Sequence, residues 1–89
     1  MARFEMGAYQ PGEGAAQGGQ SDAIFQLGLM YCVGRDVELD LVQAHKWFNI
    51  AALKGNAEAR RYRSEIARDM TKAEVARAQR LAREWMTRH

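Results

Sequence analysis

The sequence predicts an all-α fold of about four helices that pack as antiparallel hairpins. From residue 21 onwards, apolar residues recur at spacings of three and four, which is the period of one face of an α-helix. Residues that commonly cap helices stand between these segments, and the connections are short enough to favour antiparallel neighbours. No stretch shows the strict alternation of a half-buried β-strand.

Residues 1–20 are predicted to form a flexible, glycine-rich tail, and residues 21–89 the helical domain. Five glycines and the only proline interrupt any regular period in this tail. Its sizeable apolar side chains are Phe4, Met6 and Tyr9, and the alternative is that they dock into a groove as a short peptide.

The first two helices are expected on either side of a loop that Gly34 begins. Ser21 and Asp22 are good N-cap residues, so helix one should start there. Its predicted buried stripe is Ala23, Leu27, Met30 and Tyr31. Asp40 can cap helix two, with Gln43 three residues on, as in a capping box. The predicted buried stripe of helix two is Leu41, Ala44, Trp47, Phe48, Ala51 and Ala52.

Helices three and four follow with their own caps. Gly55 ends helix two, and Asn56 can cap helix three. The predicted stripe of helix three is Ala59, Tyr62, Ile66 and Met70. Thr71 and Glu74 have the spacing of a capping box in front of helix four. The predicted stripe of helix four is Val75, Ala78, Ala82 and Trp85.

A repeat is visible in this order of caps, helices and glycines, which restarts at Asn56. Ala23 and Ala59 take equivalent places, 36 residues apart (59 minus 23), and such a period is typical of αα-solenoids. Residues 22–56 resemble one repeat of the Sel-1-like repeat family, a relative of tetratricopeptide repeats. The resemblance rests on the combined signature Ala23, Leu27, Gly28, Tyr31, Gly34, Ala44, Trp47, Phe48, Ala51, Ala52 and Gly55.

The resemblance implies a short αα-superhelix of stacked hairpins, with one full repeat over residues 22–56. Residues 57–89 are expected to be a degenerate, capping repeat, because Arg63–Ser64 stand where the family has a Leu-Gly pair. The resemblance also implies a non-catalytic adaptor that holds a protein or peptide partner in a groove and needs no cofactor.

The partner is expected to contact the exposed sides of the first three helices. His45 and Asn49 are placed on a solvent-exposed side of helix two, because Trp47 and Phe48 are expected to face inward. Helices one and three are expected to contribute Phe25, Leu29, Arg60, Tyr62 and Arg63.

Nucleic-acid binding is one alternative, because the charge is unevenly distributed. Residues 1–53 have a balance of −3, whereas residues 54–89 carry ten basic and five acidic side chains, a balance of +5. A basic stripe binds phosphates in a salt-dependent way. Acidic neighbours three or four positions away favour a solvated, ion-paired face instead, through pairs such as Arg61–Glu65, Arg80–Glu84 and Glu84–Arg88.

A Cys32–His45 hydrolase is the second alternative, and it requires the two side chains within hydrogen-bond reach of each other. No nucleophile motif surrounds Cys32, and no group of residues has metal-ligand spacing. Since Cys32 is the only cysteine, an internal disulfide cannot form, and we expect a cytoplasmic protein. We expect neither a membrane span nor a secretory signal, because no apolar run is long enough.

The helix-four stripe leaves the oligomeric state open. Val75, Ala78, Ala82 and Trp85 could pack onto helix three within the chain. They could equally pair with the same stripe of a second copy, since fewer than about three repeats bury little apolar surface.

Overall fold

A computed structural model describes residues 11–88, with side chains from Gly19 onwards. This part of the chain contains four α-helices and no strand: α1 (Pro11–Val33), α2 (Leu41–Leu53), α3 (Ala57–Ala67) and α4 (Lys72–Arg88). The predicted all-α fold with four helices is therefore confirmed. None of these helices is both long and apolar enough to cross a membrane.

Helix α1 begins at Pro11, well before the expected start at Ser21–Asp22. Proline suits the first helical position, because its φ is already helical and no N–H is needed there. Once the packed part of a helix has formed, each added residue gains one hydrogen bond. Residues 11–20 are thus helical, which corrects the predicted tail for this segment. Phe4, Met6 and Tyr9 lie outside the described residues.

Helix α1 buries the face next to the one that the sequence favoured. Ala23 is exposed, and Leu27 and Met30 are only half-buried. From Gly19 onwards, the buried residues of α1 are Ser21, Ile24, Phe25, Gly28, Leu29 and Cys32. The physical reason is that α1 has apolar residues on two adjacent faces, and α2 covers the face on which Gly28 leaves room for the Phe48 ring.

The predicted N-caps of α2, α3 and α4 are confirmed, whereas Ser21 and Asp22 lie inside α1 and do not cap it. The carboxylate of Asp40 accepts a hydrogen bond from the Gln43 amide N–H at 3.1 Å, and Asn56 Oδ1 accepts one from the Ala59 amide N–H at 2.9 Å. Thr71 and Glu74 form the reciprocal capping box of α4, with distances of 2.8 and 3.1 Å. Each cap satisfies a backbone donor that has no partner within its helix.

The two glycines after α1 and α2 take the left-handed backbone conformation that their positions suggested. Gly34 has φ +74° and Gly55 has φ +103°. Beyond α1, the N–H of Gly34 donates to the Met30 carbonyl at 2.8 Å. A side chain is disfavoured in this conformation, which explains glycine at both helix ends.

Helix α2 is the centre of the molecule, because α1, α3 and α4 all pack against it. Its fully buried residues therefore lie on several sides of the helix: Ala44, His45, Phe48, Ile50 and Ala51. A helix surrounded in this way has little free surface, so the expectation of an exposed side of α2 at His45 is wrong.

Helix α4 packs mainly on α2 rather than on α3. Ala78 and Ala82 are 0% exposed, and Val75 is half-buried. The Trp85 ring meets the Trp47 ring edge to face, with centroids 5.8 Å apart and an interplanar angle of 79°. Ala78 and Ala82 thus pack inside the chain, on α2 and not on helix three as one of the two alternatives suggested.

Candidate functional site

Three of the predicted contact residues lie in the core instead of on a surface. Phe25 is 1% exposed, Leu29 is 2% exposed and His45 is 2% exposed. A partner cannot reach these side chains without unfolding the hairpin. The prediction that they contact a partner is therefore wrong, because α1 turns Phe25 and Leu29 towards α2.

The other four predicted contact residues remain accessible along the seam between α2 and α3. Asn49, Tyr62 and Arg63 are half-buried, and Arg60 is exposed. We call this group the α2–α3 edge. The Arg63 guanidinium donates a hydrogen bond from Nη1 to Asn49 Oδ1, which joins the two helices at the surface.

Tyr62 is held in place by an aromatic cluster that joins three helices. Its ring stacks on Phe25 of α1, with centroids 5.3 Å apart and an interplanar angle of 23°. It also meets Phe48 of α2, with centroids 5.8 Å apart, and Phe25 and Phe48 lie 5.6 Å from each other. Aromatic pairs at such distances add to the area that they bury. The α2–α3 edge therefore stands on a firmly packed base.

The pKa values of Cys32 and His45 do not suit a nucleophile and a base. Burial, and then the negative charge of Glu65, raise the pKa of the Cys32 thiol to about 12. Burial, followed by the positive charge of Arg63, lowers the pKa of His45 to about 4. At neutral pH the thiol is protonated, and the thiolate is the nucleophilic form of cysteine. The Cys32 thiol is also fully buried in the core.

The arginines of α4 are not neutralised by the acidic neighbours that the sequence suggested. Among residues 19–88, the ion pair within 4.0 Å joins Arg61 to Glu58 at 2.7 Å, three positions before it, rather than to Glu65. The predicted pairs Arg80–Glu84 and Glu84–Arg88 do not form in this part of the chain. Glu74 instead caps its own helix.

The described residues contain no cluster of three or more histidine, cysteine, aspartate or glutamate side chains that could hold a metal ion.

Two lysines lie beside the tryptophan pair. Lys46 Nζ is 4.1 Å from the centroid of the Trp47 ring, and Lys54 Nζ is 5.7 Å from that of Trp85. Such cation–π contacts attract the lysine ammonium groups to the ring faces.

A contact between Asp22 and Asn56 was missed by the sequence reasoning. Asn56 Nδ2 donates to Asp22 Oδ1 at 3.3 Å, across 34 positions of sequence. Asn56 thus caps α3 and also ties it to α1. The two residues stand at the two ends of the predicted repeat, and this placement is the sequence signal from which their contact could have been predicted.

Together, the small residues and aromatic rings of residues 21–56 explain how this hairpin closes. Ala44 and Ala51 are fully buried where α2 meets its neighbours, and Gly28 admits the Phe48 ring. Comparison with known proteins agrees with this arrangement, since the Sel1 repeat family matches residues 21–56. This segment resembles a Sel1 repeat.

The chain is also similar to part of a longer protein. The chain is similar to the alginate biosynthesis protein AlgK of Azotobacter vinelandii, with 31% identity over 67 residues. The match covers 75% of this chain but 15% of AlgK, so the chain spans a small part of that protein's length. No solved structure matches the chain.

Proposed function

We propose that this chain is a small, non-catalytic adaptor that binds a protein partner through the α2–α3 edge. Sel1 repeats generally mediate protein–protein interaction, and residues 21–56 resemble such a repeat. The observation that supports the proposal best is the arrangement of Tyr62 and Arg63. Both side chains are partly exposed, yet the ring cluster and Asn49 hold them in place.

The α2–α3 edge suits a partner that combines a carboxylate with a small apolar group. Arg63 is already oriented by Asn49, so less side-chain freedom is lost when a carboxylate binds to it. Arg60 adds a second, exposed guanidinium, and planar guanidinium groups bind carboxylates through two parallel hydrogen bonds. Tyr62 is half-buried beside Arg63, and the Arg61 guanidinium lies 5.1 Å from the centroid of its ring, so its exposed part adds contact area next to a further positive charge.

The absence of catalysis in this proposal is supported by the protonated Cys32 thiol and the buried, neutral His45. Neither group is accessible to a substrate in the folded chain. A cytoplasmic location remains a prediction, and it depends on the single cysteine.

A capture experiment with matched variants tests the proposal. The tagged chain is incubated with lysate of the native organism, and the bound proteins are identified by mass spectrometry. We expect one dominant partner, and its recovery should fall at least about fivefold in Arg60→Glu, which reverses an exposed charge on the α2–α3 edge.

Arg35→Glu is the control, because it makes the same charge change in the loop between α1 and α2. Circular dichroism should show the same helicity for both variants. Equal capture by the wild type and by Arg60→Glu would contradict a role for the α2–α3 edge. Loss of capture in both variants would indicate an effect of overall charge.

A further inference from the structure

The outward face of α4 carries positive charges that the expected ion pairs with neighbouring acidic residues do not neutralise. Helix α4 has five basic residues and two acidic ones, and all seven are exposed. Arg77, Arg80, Arg83 and Arg88 make up what we call the α4 arginine face. At about 100° per residue, Arg80 lies opposite the buried side of the helix that holds Ala78 and Ala82.

These arginines have no intramolecular acid to bind. Within residues 19–88, none of the four has a carboxylate oxygen within 4.0 Å. Glu74 is committed to the amide of Thr71 at 2.8 Å, which leaves Glu84 as the acidic residue of α4 without such a bond. The guanidinium groups are therefore available for an external carboxylate.

Because α4 packs against α2, the backbone positions of these four arginines have a fixed spacing. Trp85, Ala78 and Ala82 hold the opposite side of the helix against α2. From Arg77 to Arg88 the helix axis extends about 16 Å, which an extended polypeptide covers with about five residues.

We propose that the α4 arginine face binds an acidic polypeptide segment of a protein partner. This inference rests on the proposed function, since it gives the chemistry of a second contact with that partner. Carboxylates spaced along the segment would pair with Arg77, Arg80 and Arg83, and an uncharged residue would pass over Glu84. A guanidinium favours this pairing because it binds a carboxylate bidentately.

Two observations favour a polypeptide over a nucleic acid. Glu84 lies between Arg80 and Arg88 along the same face, where the regular negative charge of a phosphate backbone would be repelled. The aromatic side chain of α4, Trp85, packs against Trp47, so the α4 arginine face has no ring on which a base could stack.

The test is a titration of the full chain with a fluorescent peptide of about six glutamates, at about 50 and 200 mM salt. We expect the wild type to bind the peptide, and binding to weaken as salt rises. Arg80→Gln combined with Arg83→Gln should reduce the affinity roughly fivefold, because exposed charge pairs are individually weak.

The matched control combines Arg35→Gln with Arg68→Gln, which removes two exposed positive charges that lie outside α4. The control should bind like the wild type. Equal weakening in the two double variants would overturn the proposal, since net charge alone would then explain binding. No binding by the wild type at the lower salt concentration would overturn it as well.

A short RNA or DNA duplex is titrated in parallel. Tighter binding of the duplex than of the peptide, with the same dependence on Arg80 and Arg83, would replace the proposed occupant by nucleic acid. The titration and the capture experiment can fail independently, because the capture experiment tests Arg60 whereas the titration tests Arg80 and Arg83. If capture depends on Arg60 but the peptide does not bind, the adaptor function stands and the α4 inference fails.

Discussion

Gly28 shows how a single residue determines the spacing of the first two helices. A Cβ atom at this position would lie 2.6 Å from Cδ1 and from Cε1 of the Phe48 ring. Phe48 is completely buried and also meets Phe25 and Tyr62, so its ring cannot move aside. Glycine is needed here because the ring of α2 approaches the backbone of α1 closely.

We therefore predict that Gly28→Ala lowers the free energy of unfolding by up to about 2 kcal/mol. Overpacking of a core typically costs about 1–3 kcal/mol, and the gain of about 1 kcal/mol from replacing a helical glycine offsets part of that cost. Urea unfolding provides the measurement. Gly19→Ala is the control, since nothing lies within 4 Å of a Cβ there, and it should be slightly stabilising. A stabilised Gly28→Ala protein would contradict this packing.

His45 links a buried side chain to the pH dependence of stability. Its pKa is lowered to about 4 in the folded chain, first by burial and then by the charge of Arg63. In the unfolded chain the pKa returns to about 6.5. Between these values the unfolded state binds more protons, so stability decreases as the pH falls from about 6.5 towards 4.

The predicted loss between pH 7 and pH 4.5 is up to about 3 kcal/mol in the free energy of unfolding. It can be measured by urea unfolding at several pH values in this window. His45→Leu should remove most of the slope, whatever its effect on stability at pH 7. An unchanged slope in His45→Leu would assign the pH dependence to other groups.

At the scale of the elements, Asn56 shows how the start of one helix is fixed by another helix. Its side chain accepts from the Ala59 amide and donates to Asp22. Asp40 is also joined to α1, but through its backbone: its carboxylate accepts from Gln43, and its N–H donates to the Tyr31 carbonyl at 3.0 Å. At Asn56 the side chain itself makes the link, so a substitution there can change the link to α1 while it keeps the cap.

We predict that Asn56→Asp, which keeps the cap acceptor, is destabilising by about 1 kcal/mol because a second carboxylate then faces Asp22. Combining it with Asp22→Asn should restore most of the stability, since a donor and an acceptor face each other again. Thermal unfolding of the wild type, the two single variants and the double variant forms a double-mutant cycle. Strictly additive effects would show that the contact contributes nothing to stability.

Local signals predicted the starts of α2, α3 and α4 well, but not the start of α1, and they predicted the buried faces less well. Asp40, Asn56, Thr71 and Glu74 act through partners three positions away, so their roles are visible in sequence. The buried face of α1 depends on which of two adjacent apolar faces α2 covers, and no local pattern determines that choice.

The candidate site could be predicted only in part, because the burial of a side chain depends on how the helices pack together. Arg60 is exposed as expected, whereas Tyr62, which was expected both in the buried stripe of α3 and at the contact surface, is half-buried. His45 was misplaced because its burial follows from how three helices surround α2. The missing ion pairs of α4 could not be anticipated either, since spacing allows a pair but does not require one.

At the scale of the whole molecule, α2 has the central position and α4 closes the stack. Helix α4 has no extensive contact with α3, so its attachment depends on α2 through Ala78, Ala82 and Trp85. The Trp47–Trp85 contact is therefore the main aromatic link between residues 21–56 and the last helix. With that stripe covered, we expect the chain to be a monomer in solution.

The last prediction tests this closure. Trp85→Ala should lower the free energy of unfolding by about 2 kcal/mol, less than for a fully buried tryptophan because Trp85 is half-buried. Light scattering should give a mass near 10.1 kDa for both the wild type and the variant. Leu53→Ala is the control, because Leu53 is 62% exposed and its loss should change stability little. A wild-type mass of twice the monomer value that falls in Trp85→Ala would mean that helix four pairs between copies, and the packing of α4 on α2 would then have to be revised.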